Sequence, residues 1–356
     1  MDLSSTTVGS FLRPRRPLRP RPLRQTQRVV LLREFGSADR LSVVDQPMPS
    51  PGPGEVRVRV LATSVQFTDV MIRKGSYPGL ARQLPLVLGY DVVGEVDELG
   101  PGVAAVSVGD RVAALTVTGS HGRYRTLRAE QVVPVPKFVD PAEAVALVLS
   151  WTTAYQLLHR VAQVRPGQRM LVIGAGGAVG QALLTLGKRA GLEMWGTARH
   201  GSAELVRSLG ATAVDFEAED CRTLVRGGFD VVMDGIGERG FTRSWASVKA
   251  GGTLCAYGIA AAVRDGTNQA TVGLWLLRLF LWDHLPNGKR ARFYSITDLK
   301  QQHPAWFRAD LEDLFALLAD GSIHPRIQGR IDLDSVEEAH GRVEAGGLTG
   351  KLILCP

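Results

Sequence analysis

The sequence predicts an α/β protein built from an antiparallel β domain and a doubly wound parallel-sheet domain, and three observations carry that reading. Glu55-Val-Arg-Val-Arg-Val60 alternates strictly between apolar and charged residues, the pattern of a strand with one wet face. Met170-Leu-Val-Ile173 is apolar without alternation, as a strand buried on both faces requires, and glycines follow it at once. Beyond them strand-like and helix-like segments take turns, as in parallel strands joined by crossover helices.

Taken in order, residues 1–27 form an arginine- and proline-rich head. Arg13-Pro-Arg-Arg-Pro-Leu-Arg-Pro-Arg-Pro-Leu-Arg24 has little apolar surface to bury, and its prolines block regular helix, so disorder or extension is expected. Residues 28–150 read as the antiparallel domain, with strands at Glu55–Val60, Val92–Val96 and Gly109–Leu115 between the turns Ser50–Gly54 and Gly100–Gly102. Residues 151–289 read as the dinucleotide domain. A strand at Arg169–Ile173 leads to a helix at Gln181–Ala190, a strand at Glu193–Thr197, a helix at Ala203–Leu209, and strands at Ala213–Phe216, Asp230–Asp234 and Thr253–Gly258. The apolar run Ala270–Leu281, interrupted by Arg278, is too short to span a bilayer and reads as a helix that packs on something. Residues 290–356 hold an edge strand at Arg290–Ile296, then Arg330–Leu333, a helix near Asp334–Ala345 and a strand at Lys351–Leu354 that returns to the first domain.

The glycine turn indicates the ligand. Gly174-x-x-Gly177-x-x-Gly180 lets backbone approach a pyrophosphate at a helix N-terminus, where free N–H groups and the helix dipole favour negative charge. Val179 stands where G-x-G-x-x-G would place its last glycine, and a purely structural turn is the alternative reading. Sites for NAD place a carboxylate about 20 residues on to bind the ribose 2′-hydroxyl. Here Gly196-Thr-Ala-Arg-His200 offers Arg199 instead, which favours the 2′-phosphate of NADPH, a solvated arginine being the alternative.

Composition excludes several classes. The net charge of +7 over 356 residues suggests a nucleic-acid partner, yet residues 1–28 carry seven arginines against Asp2, so the remainder is nearly neutral. The head lacks the apolar core of a secretory signal. Three isolated cysteines, 221, 255 and 355, fit neither a disulfide framework nor a four-thiolate zinc lobe, and suit a reducing cytoplasm.

Eight motifs in order, Gly54–Val60, Gly89-Tyr-Asp-Val-Val-Gly94, Val108-Gly-Asp-Arg-Val112, Thr152-Thr-Ala-Tyr155, Val164-Arg-Pro-Gly-Gln168, the glycine turn, Ser208-Leu-Gly-Ala211 and Gly350-Lys-Leu-Ile-Leu354, resemble the medium-chain dehydrogenase/reductase superfamily from about Arg28 to Pro356. The resemblance implies a GroES-like antiparallel β domain plus a Rossmann doubly wound domain. Zinc alcohol dehydrogenases carry Cys-x-Thr/Ser-Asp where this chain has Gln66-Phe-Thr-Asp69, and Gly-His-Glu where it has Gly89-Tyr-Asp91. Amide and phenol are poor zinc donors, so no metal is expected, and the segment Phe67–Pro78 is similar to that of zinc-independent quinone oxidoreductases.

The resemblance implies an NADPH-dependent reductase acting on a quinone or activated C=C. The alternatives are a reductase of enoyl thioesters or biosynthetic intermediates, and a non-catalytic NADPH-binding protein. It places Tyr77, Gln66 and Asp69 on the substrate side, with Tyr90 and Asp91 as either site or core residues. Thr153, Gly174, Gly177, Ala178, Val179, Arg199, Gly235, Gly258 and Lys351 would contact the cofactor, and Arg290–Ile296 resembles the edge through which relatives form homodimers.

Overall fold

The computed structural model describes residues 25–80, 83–198, 200–215, 221 and 223–356. The arginine- and proline-rich stretch 13–24 and Arg199 therefore lie outside the described residues. The first strand begins at Thr26, so ordered backbone starts inside the 1–27 segment that the sequence assigns to the tail. Its register with Leu41–Pro47 runs Thr26↔Pro47 to Leu32↔Leu41, which explains the early start: Val29 to Leu32 are buried, and pairing carries the strand three residues further back to Thr26.

The GroES-like domain is organised around the long strand Glu55–Val65, which pairs antiparallel with Asp91–Leu99 and, beside it, with Tyr124–Arg128. Val56, Val58 and Val60 are buried while Arg59 is exposed, so the alternating pattern performs as its chemistry dictates. The chain's last strand, Lys351–Leu354, pairs antiparallel with Thr63–Val65 of that strand and parallel with Ile327–Ile331, which closes the return to the first domain.

The second domain is a six-stranded parallel sheet. From one edge its strands are Thr212–Val214, Glu193–Thr197, Arg169–Ile173, Phe229–Asp234, Val248–Ala256 and Arg290–Phe293. Strand order reverses between Arg169–Ile173 and Phe229–Asp234, and ligands of such sheets bind at the carboxyl ends of the strands at that switch point. One hydrophobic cluster joins Leu32, Tyr90 and Leu354 to Met170 and Leu314, so a shared core ties the domains together. The helix Gln269–Asp283 packs Leu279, with Trp275, Leu276 and Trp282, onto the opposite sheet face and leaves Leu274, Leu277, Phe280 and Leu281 exposed. No helix among the described residues is long and apolar enough to cross a membrane.

A buried histidine pair offers a test of this packing. His121 and His340 stack edge to face at 6.1 Å, and neither nitrogen of His340 has a hydrogen-bond partner among the described residues. Burial depresses both imidazoles, His121 to about 4 and His340 well below its ordinary range, the latter also through His121 and Arg73. A folded pKa below the unfolded one of about 6.5 means the unfolded chain binds the proton first. Stability is therefore present above about pH 6.5 and lost as pH falls through that value. His340→Leu removes this penalty and breaks no hydrogen bond. Relative to wild type the variant should gain about 2 kcal/mol between pH 7.5 and pH 5. Denaturant midpoints at the two pH values that shift in parallel for both proteins would refute the assignment.

Candidate active site

The strand Arg169–Ile173 delivers the chain to Gly174, whose φ of 83° lies in the left-handed region and whose N–H donates to Thr197 Oγ1 at 2.9 Å. The helix Ala178–Arg189 starts immediately after Gly177, so Ala178 and Val179 occupy its first turn, where N–H groups lack intrahelical acceptors. A Cβ on Gly180 would lie 2.4 Å from Gly174 O, which makes that glycine obligatory for the tight turn. Across the switch point Gly235 and Gly258 face each other: a Cβ on Gly258 would meet Gly235 O at 2.3 Å, and one on Gly235 would strike the Tyr257 ring. This side-chain-free cradle beside a twelve-residue helix N-terminus fits a dinucleotide pyrophosphate. Asp234 shapes it, accepting from Ile236 N, Gly237 N and Ser244 Oγ at 2.8, 2.9 and 2.6 Å. Thr153 is buried in a helix flanked by two π-helical segments, and Gln156 of the same helix accepts from the Tyr294 hydroxyl at 2.7 Å, just past the edge strand.

The second group forms around the helix Phe67–Arg73. Gln66 precedes it, Asp69 lies in its first turn and Tyr77 follows it. Gln66 Nε2 donates to Asp91 Oδ2 at 2.5 Å and Gln66 Oε1 accepts from Lys351 Nζ at 2.6 Å. Asp69 accepts from Gln66 N at 2.9 Å and Gly89 N at 3.3 Å. Asp91 also takes Ser64 N at 2.8 Å and Ser64 Oγ at 2.5 Å. Burial raises both carboxyls, Asp69 the more because Asp91 adds repulsion, whereas the Lys351 charge and the Ser64 donors restrain Asp91. Burial also lowers Lys351 to about 8, with Asp91 and Asp69 opposing the fall.

Tyr77 and Tyr90 share a 2.5 Å hydrogen bond between their hydroxyls. Burial raises both phenols, so they stay protonated and act as donors at neutral pH. Thr297, which follows the second domain's edge strand, lies beside the Tyr77 phenol, so Tyr77 stands where the two domains meet. Lys300 Nζ donates to Leu115 O at 2.9 Å across the same junction.

The structure thus brings Gln66, Asp69, Asp91 and Lys351 into one hydrogen-bonded cluster and pairs Tyr77 with Tyr90. Gly174, Gly177, Ala178, Val179, Gly235 and Gly258 gather at the strand ends. Lys351, grouped with the cofactor contacts by resemblance, has its ammonium on Gln66. Ser64, Asp234 and Thr197 escaped the sequence reading; a serine two residues before Gln66, near the end of the strand Glu55–Val65, was the available signal for the first.

Residues 52–137 match the alcohol dehydrogenase GroES-like domain and residues 209–354 match the zinc-binding dehydrogenase family. The chain belongs to the medium-chain dehydrogenase/reductase superfamily. It is 29% identical over 343 residues to the human synaptic vesicle membrane protein VAT-1 homolog-like, covering 93% of this chain and 81% of that protein. It is 28% identical over 315 residues to a 2-haloacrylate reductase of a Burkholderia species, covering 83% and 89%. The quinone oxidoreductase of Pseudomonas syringae pv. Tomato DC3000 superposes with a TM-score of 0.79 at 26% identity, covering 93% of this chain and all of that one. A mycobacterial protein complexed with NADPH does so at 0.79 and 28%, with the same coverage.

The zinc implied by one family description is not matched by the donors at hand. Gln66 and Tyr90 offer an amide and a phenol, Asp91 is committed to Ser64 and Gln66, and a lysine ammonium lies against the amide. Among the described residues no group of three or more histidines, cysteines and carboxylates is arranged to hold a metal ion.

Proposed function

We propose that this oxidoreductase is an NADPH-dependent, zinc-independent reductase of quinones or activated C=C acceptors. The observation that carries the reading is the pair of protonated phenols, Tyr77 and Tyr90, at the domain junction of a chain that also holds a buried Gln66 amide and a glycine cradle for a dinucleotide. Bound NADPH supplies the hydride. The chain's residues orient the acceptor, keep the cleft dry and hydrogen-bond the oxygen on which negative charge develops. Reduction of a conjugated acceptor suits such a site, because the charge spreads into an enolate or quinol oxygen that neutral donors can stabilise. Alcohol oxidation requires a stronger electrophile than amide and phenol provide. The quinone oxidoreductase and the 2-haloacrylate reductase among the relatives support this choice.

The test follows NADPH oxidation with a quinone, an enone and an enoyl thioester side by side. Turnover with the first two is expected; preference for the thioester would move the substrate class, and no turnover with any acceptor would leave an NADPH-binding protein. Zinc independence predicts that chelator leaves the rate unchanged and that purified protein contains well under one zinc per chain. Stoichiometric zinc would overturn it.

The same reading includes a homodimer. Arg290–Phe293 is the unpaired edge of the parallel sheet, with Phe293 exposed next to the apolar face of the helix Gln269–Asp283, and a second copy extending the sheet there would cover both.

A further inference from the structure

Lys351 and Asp91 hold opposite ends of the Gln66 side chain. Asp91 is fully buried, Gln66 is 6% and Lys351 7% exposed, so the contacts are made out of water. An amide has distinct ends: the carbonyl accepts and the nitrogen donates two hydrogens. Here the carbonyl faces an ammonium and the nitrogen faces a carboxylate. Rotating the amide by half a turn would set its NH2 group against the ammonium and its oxygen against the carboxylate. Both contacts would become repulsive, and weak screening in the interior magnifies the difference. The two charges therefore select one orientation.

Backbone anchors reinforce the clamp. Gln66 N donates to Asp69, and the Asp91 carboxylate is fixed by Ser64, so neither the amide's base nor its anionic partner drifts. Lys351 arrives from the opposite end of the chain, on the strand Lys351–Leu354 that pairs with Thr63–Val65, just ahead of Gln66. Its ammonium is brought to the amide by the returning strand.

We propose that Lys351 and Asp91 are positioning residues that clamp the Gln66 carboxamide, so that its second N–H is a fixed donor to the acceptor's oxygen. This rests on the reductase reading above. It gives Lys351 a task on the substrate side: the ammonium polarises the carboxamide through its oxygen, which strengthens the N–H facing the oxygen that gains charge. No proton leaves Lys351 in this scheme.

The decisive experiment is a cycle of Lys351→Met, Gln66→Leu and the double variant, read at saturating NADPH. Each single change should lower kcat roughly ten- to a hundredfold, in the lower range for losing one oxyanion donor. If Lys351 acts through Gln66, the double variant should fall no more than about threefold below Gln66→Leu, and NADPH affinity should stay within about threefold. Multiplying losses would refute the clamp. So would tenfold weaker NADPH binding with kcat preserved, which would assign the ammonium to a cofactor phosphate.

A second readout is independent of turnover. The Gln66 side-chain NH2 resonances, assigned by their loss in Gln66→Leu, should exchange with solvent at least tenfold faster in Lys351→Met. Unchanged exchange would overturn the clamp even if every acceptor proves inert, so failure of the substrate assignment and failure of the clamp remain separable. Should Lys351→Met not fold, Lys351→Met/Asp91→Asn, which removes one charge of each sign, replaces it in both measurements.

Discussion

Tyr77→Phe should lower turnover with a quinone or enone by roughly ten- to a thousandfold while leaving NADPH binding intact, the span expected for losing one acid or oxyanion donor. The substitution keeps the ring, which packs against the core, and removes only the hydroxyl that bonds Tyr90. Geometry makes the effect cooperative. With Tyr90 buried and its hydroxyl 2.5 Å away, a bond donated by Tyr90 to Tyr77 leaves the Tyr77 proton free for the substrate and polarises it. Tyr90→Phe should therefore reduce turnover too, by less than Tyr77→Phe. Steady-state rates at saturating NADPH, with cofactor affinity measured separately by fluorescence, check both. Unchanged turnover in Tyr77→Phe would mean that solvent delivers the proton and that the phenol only walls the cleft.

Much of the fold was legible because local patterns carry it. The run Met170–Ile173, the turn at Gly174–Gly180 and the apolar strand Lys351–Leu354 appear where their periodicity and glycines place them. The strand expected at Thr253–Gly258 instead spans Val248–Ala256. Its polar, glycine-containing start, Lys249-Ala-Gly-Gly252, hides it from a pattern search, and the pairing register with Phe229–Asp234 slips at that point. The small sheet of Thr26–Leu32, Leu41–Pro47 and Leu86–Val87 was also missed: Val29–Leu32 is buried without alternation, Leu41–Pro47 has no regular buried face, and Leu86–Val87 is only two residues long.

The site divides along the same line. Its glycine cradle is local and was readable, whereas the contact between Lys351 and Gln66 joins residues 285 positions apart and has no spacing to betray it. One signal was present. A lysine opening an otherwise fully apolar strand must either snorkel to water or find buried acidic partners, and Asp91, with Asp69 beyond it, supplies them. The buried histidines are similar: His121 and His340 meet through tertiary packing alone.

Arg199→Asp should reverse the cofactor preference, with affinity for NADPH falling roughly ten- to a hundredfold as NADH gains. The side chain follows the strand Glu193–Thr197, whose last residue, Thr197, holds Gly174 N and so ties the strand end to the glycine turn. From Ala198 to Ala203 the chain has no carboxylate, so nothing there repels a 2′-phosphate or grips a 2′-hydroxyl as an aspartate would. A Cβ on Gly176 would lie 2.9 Å from Ser202 Oγ, which sets that hydroxyl beside the glycine turn. A guanidinium with two charge-assisted bonds to phosphate is worth about 1.5–3 kcal/mol, which sets the size of the effect. The carboxylate adds repulsion to the lost attraction, so Arg199→Asp should exceed Arg199→Ala in lowering NADPH affinity. Titrating both cofactors against wild type and the two variants gives the answer. Equal affinities for NADPH and NADH in the wild type would show that no 2′-phosphate site exists at this strand end.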